Sequence, residues 1–95
     1  MAIRLGRDGQ RLITVRVQMA EIWDTVRFET PPEEPVRSVK VRALEELLPD
    51  AERPEDFVLK LNGFEVLDEH ATLAEVGVVD GSIFLLTYRR RRPVR

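Results

Sequence analysis

Ninety-five residues suffice for one modest hydrophobic core and are too few for two. With 43% apolar and 34% charged residues, the chain is too hydrophobic for intrinsic disorder, and no apolar run approaches the roughly 20 residues that cross a bilayer. The net charge of −2 conceals an asymmetry: Arg89, Arg90, Arg91, Arg92 and Arg95 occupy the last seven positions, which leaves the first 88 residues at −7 and sets an acidic body against a basic tail.

The opening Met1 to Gly9 lacks the apolar stretch of a secretory signal, so a cytoplasmic location is expected. Residues 1–11 read as a flexible N-terminal arm. Cysteine is absent, which excludes disulfides, thiolate metal sites and cysteine nucleophiles, so packing must hold the fold.

From Leu12 to Met19 the residues alternate, with Ile13, Val15, Val17 and Met19 on one face and Thr14, Arg16 and Gln18 on the other, the pattern of a half-buried strand. After a turn near Ala20 to Trp23, Val26 and Phe28 alternate with Thr25, Arg27 and Glu29, so the two segments predict a hairpin. Pro31, Pro32 and Pro35 lack the amide donors a ladder needs, and Glu33 and Glu34 favour the positive end of a helix dipole. Over Val36 to Leu48, the spacing of Val36, Val39, Ala43 and Leu47, flanked by Leu44 and Leu48, predicts an amphipathic helix ended by Pro49.

Ala51 to Asp56 reads as a loop. Phe57, Leu59 and Leu61 then alternate with Val58, Lys60 and Asn62, and Asn62-Gly63 is a turn signal before a short return strand over Phe64 to Leu67. Asp68 to Val76 carries turn residues, with Leu73 and Val76 as core anchors, and Asp80-Gly81 marks another turn. Ser82 to Tyr88 is the last strand, with Phe84, Leu86 and Tyr88 opposite Ile83, Leu85 and Thr87. This order argues for an α+β domain over residues 12–88, a mixed sheet of four to five strands with one helix packed across it, followed by the basic tail over 89–95.

The stretch Leu59 to Asp68, followed by Ala71 to Val78 and Asp80 to Leu86, resembles the second half of ubiquitin. The resemblance implies a ubiquitin-like β-grasp fold over about Ile13 to Arg89. Two sheet positions of ubiquitin's aliphatic recognition patch correspond to Lys60 and Thr87, so that patch is not preserved, although Leu85 shares the outward face. Ubiquitin and the related sulfur carriers end in two glycines, whereas no glycine follows Gly81 here and the given sequence closes on Arg91-Arg92-Pro93-Val94-Arg95. The tail is therefore expected not to be conjugated as written. In character the chain is similar to bacterial stand-alone ubiquitin-like proteins encoded beside conjugation-like enzymes and to accessory proteins of type VII secretion.

No phosphate-binding glycine loop, Ser-His-Asp set or dinucleotide fingerprint is present, and no enzymatic activity or cofactor is expected. His70, the single histidine, reads as a solvated turn residue rather than a metal ligand, and the adjacent acid pairs read as solvating charge. Trp23 lies opposite the face of Val26 and Phe28 and is a candidate contact, since exposed tryptophan is enriched at binding hot spots; packing over the sheet edge is the competing reading. The arginine tail has no interleaved aromatics beyond Tyr88, and the acidic body repels nucleic acid, so direct nucleic-acid binding is not expected. The sequence thus points to a non-catalytic module that binds another protein through Lys60, Leu85 and Thr87, with Trp23 and the tail as secondary contacts. The alternatives are a modifier or carrier activated after C-terminal processing, or an accessory subunit of a secretion system or oxygenase complex. Partner identity and oligomeric state are not legible.

Overall fold

The period-two pattern of residues 13–30 folds as it predicts. In the computed structural model, which describes residues 2–7, 9–51 and 53–89, a short first strand, β1 (Ala2–Arg4), precedes β2 (Ile13–Met19), and β3 (Asp24–Thr30) returns antiparallel to β2. Val15, Val17, Met19 and Phe28 are fully buried on the inner face.

β1 corrects the expectation of a flexible arm over residues 1–11. It pairs in parallel with β3, Ile3 is in register with Phe28, and Ile3 joins the core. The Leu5 N–H extends this pairing to the Glu29 carbonyl at 2.8 Å. Gly6, at φ 90°, then turns the chain against Pro31, where a β-carbon would stand 2.6 Å from Pro31 Cδ. Three residues with one buried apolar side chain carry too little alternation to announce a strand.

The helix α1 (Val36–Leu47) buries Val36, Val39, Ala43 and Leu44, the face its spacing predicts. Its N-cap is Pro35, which offers no side-chain acceptor, and the two acids precede the first turn instead of lying in it. A distant loop satisfies its orphan donors: the Val36 N–H donates to the Ala71 carbonyl at 2.9 Å and the Arg37 N–H to the Glu69 carbonyl at 2.8 Å.

A 3-10 turn, Pro54–Asp56, leads into β4 (Phe57–Leu61). Asn62 and Gly63 both take left-handed backbone, φ 53° and 85°, and join β4 to the two-residue strand β5 (Phe64–Glu65), shorter than expected. In the following loop Leu73 is fully buried, Val76 is only half-buried, and Val78 takes the deeper place. β6 (Ile83–Tyr88) closes the domain, parallel to β2 and antiparallel to β4.

The strand order is β1-β3-β2-β6-β4-β5, a mixed sheet of six strands rather than the four to five expected. Helix and inward strand residues share one core. Among the described residues no helix covers the opposite face of the sheet, the surface on which Lys60, Leu85 and Thr87 stand.

Candidate interaction surface

Register, which no single strand reveals, decides what meets on the outward face. Lys60 of β4 is directly opposite Leu85 of β6, and Leu85 is in register with Gln18 of β2 on its other side. Thr87, two residues further along β6, faces Val58. Lys60, Leu85 and Thr87 therefore share one patch, where a groove of about 430 Å³ is lined by Lys60, Glu65, Leu85, Thr87 and Arg89. Leu85 is 36% exposed, and Ile83, next on the same face, 52%.

Val58 belongs to this face and is nevertheless buried. Arg89, which lines the groove with it, donates from Nε to the Glu55 carbonyl at 3.1 Å, and its Nη1 reaches Glu65 Oε2 at 3.3 Å, groups before and beyond β4. The Arg89 N–H also donates to the Asp56 carbonyl at 2.8 Å. Assigned to the basic tail by composition, Arg89 is built into the domain; Arg90, Arg91, Arg92 and Arg95 lie outside the described residues.

The β2–β3 turn is tied to the same region. Glu21 Oε2 accepts from the Thr87 hydroxyl at 2.6 Å and from the Tyr88 N–H at 3.4 Å, which fixes the turn against the end of β6. Partial burial opposes ionisation of Glu21, but the bonds from the Thr87 hydroxyl and from backbone N–H groups outweigh it and hold the carboxyl below the usual glutamate range. Two residues on, Trp23 is 85% exposed and takes left-handed backbone, φ 54°, a conformation that costs a bulky residue energy.

Reasoning from the sequence passed over Arg16 and Arg27. They are directly opposite each other in the β2–β3 pair, both exposed, and Arg16 is also in register with Ile83. Alternation marked each as outward, but their juxtaposition needed the register. His70 lies on an exposed turn, and among the described residues no group of three or more His, Asp or Glu side chains is placed to hold a metal ion. No helix among them is long and apolar enough to cross a membrane.

Residues 7–90 match the family described as "Protein of Unknown function (DUF2604)". The chain belongs to that family. Comparison with curated proteins finds no match for this DUF2604 chain. Solved structures similar to it include the ubiquitin-like domain of an Arabidopsis thaliana protein, 19% identical with a TM-score of 0.70, covering 94% of this chain and 89% of that one. The C-terminal ubiquitin-like domain of mouse tubulin-specific chaperone e is also 19% identical, with a TM-score of 0.69 and coverage of 94% and 97%. Caldiarchaeum subterraneum ubiquitin is 21% identical, with a TM-score of 0.69 and coverage of 84% and 96%. At these identities the likeness establishes the fold alone: this DUF2604 chain has the ubiquitin-like β-grasp fold, and β1 lies at the edge of its sheet beside β3.

Proposed function

We propose that this protein is a non-catalytic, cofactor-free interaction module that binds another protein reversibly through the outward sheet face and the β2–β3 turn. The observation that carries the reading is Trp23. A large aromatic side chain stands 85% exposed on backbone that disfavours it, at the tip of a turn anchored to the sheet face through Glu21 and Thr87. Strained, exposed residues concentrate where binding uses them, and tryptophan is the residue most enriched at interface hot spots. Lys60 and Leu85 extend the surface beside it with a charged head and an apolar contact.

The test is affinity capture from the source organism's lysate with the intact protein, a W23A/L85A variant, and a chain ending at Arg89, followed by intact-mass measurement of what is retained. Arg89 is kept because it is hydrogen-bonded into the domain. A noncovalent partner held by the intact and shortened chains and lost by W23A/L85A supports the module. Covalent adducts or a trimmed C-terminus would overturn it in favour of a modifier.

A further inference from the structure

Arg37 lies within ion-pair distance of Glu55 and Glu69, Arg42 of Glu45 and Glu46, and Arg89 of Glu65. On the outward face Arg16 and Arg27 face each other instead of an acid. They are cross-strand partners, so their β-carbons stand about 5 Å apart, a like-charge opposition that weakens a sheet. Among the described residues neither guanidinium has an acidic partner, although acids outnumber bases in the chain by 17 to 15. Glu29, the next outward residue on β3, is in register with Arg4 and Thr14 instead. Lys60 is in register with Leu85 on one side and with Glu65 on the other, and Glu65 pairs with Arg89. The row runs from the adjacent Arg27 and Arg16 to the exposed Ile83, with Leu85 and Lys60 in the next row of the same face.

We infer that Arg16 and Arg27 form a carboxylate-binding clamp, and that the segment docking on this face is an acidic peptide whose apolar residues seat on Ile83 and Leu85. The inference rests on the sheet face being the docking surface and specifies what docks there. Two arginines in direct register can both turn their guanidinium donors to one carboxylate, and an incoming acid relieves their mutual repulsion. Apolar carbon beside the cations, at Ile83 and Leu85, favours a peptide over a phosphate backbone.

The experiment is selection from a random-peptide display library against the wild-type protein, R16Q/R27Q and R16E/R27E, each first checked for a native amide spectrum. Wild-type protein is expected to enrich peptides that place Asp or Glu beside Leu, Ile or Phe. Those peptides should lose about tenfold or more in affinity for R16Q/R27Q, and R16E/R27E should lose the acidic preference. Spectra titrated with a selected peptide should shift at Arg16, Arg27, Ile83 and Leu85. Peptides that shift Leu85 and Trp23 but bind R16Q/R27Q unchanged overturn the clamp and leave the docking surface standing. Peptides that shift neither overturn both. A mixed-sequence single-stranded RNA that binds at Arg16 and Arg27 more tightly than any selected peptide also overturns the inference.

Discussion

Lys40 Nζ lies 2.7 Å from Glu69 Oε2, and only 1% of the lysine side chain is exposed. The bond joins α1 to the loop whose carbonyls cap that helix, so one acid helps position both. Removing Glu69 strands a buried ammonium. Glu69→Ala is expected to destabilise the fold by about 3 kcal/mol, whereas Lys40→Met, which leaves Glu69 with Arg37, costs well under half as much. Urea denaturation of the two variants checks the order.

β1 contributes one buried side chain and a few backbone bonds at the sheet edge. Ile3→Ala is expected to cost about 2 kcal/mol, and the amides of Arg27 and Glu29, whose backbone groups face β1, should then exchange faster with solvent. Hydrogen exchange and thermal melting together check this. Unchanged stability would mean the strand is dispensable.

These two cases mark where sequence reasoning reached its end. Val15, Val17, Phe28, Val36 and Val39 were placed correctly because burial imposes a period of two on strands and near 3.6 on helices, and their side chains announce it. Lys40 sits one turn from Val36 and Leu44, on the buried face, but its charge reads as solvated until Glu69, 29 residues away, is known to meet it. Val58 reads as outward and half-exposed, yet it is buried. On the candidate surface, Lys60, Leu85 and Thr87 were legible as sharing a face. Arg16 beside Arg27 was not, because cross-strand neighbours depend on register.

The tether from Glu21 is expected to be pH-dependent. Its carboxyl titrates below the usual range in the folded protein, so its contribution is fully present above the unfolded-state value, near 4.5, and is lost as pH falls through the lowered folded value. Fluorescence of Trp23, the only tryptophan, should therefore change in that acid window, and Glu21→Gln should abolish the change. Persistence of the transition in Glu21→Gln would assign it to another group.

Trp23 separates stability from binding. Glycine adopts the observed left-handed backbone without steric penalty, and the indole, 85% exposed, gives up little burial when removed. Trp23→Gly is therefore expected to leave the melting temperature unchanged or raise it, with a gain of up to about 1 kcal/mol, while partner binding falls. Trp23→Tyr should keep the strain and part of the contact, and so retain more binding at no gain in stability. A large drop in melting temperature for Trp23→Gly would instead mean that the indole braces the turn, and the exposed aromatic would cease to argue for an interaction surface.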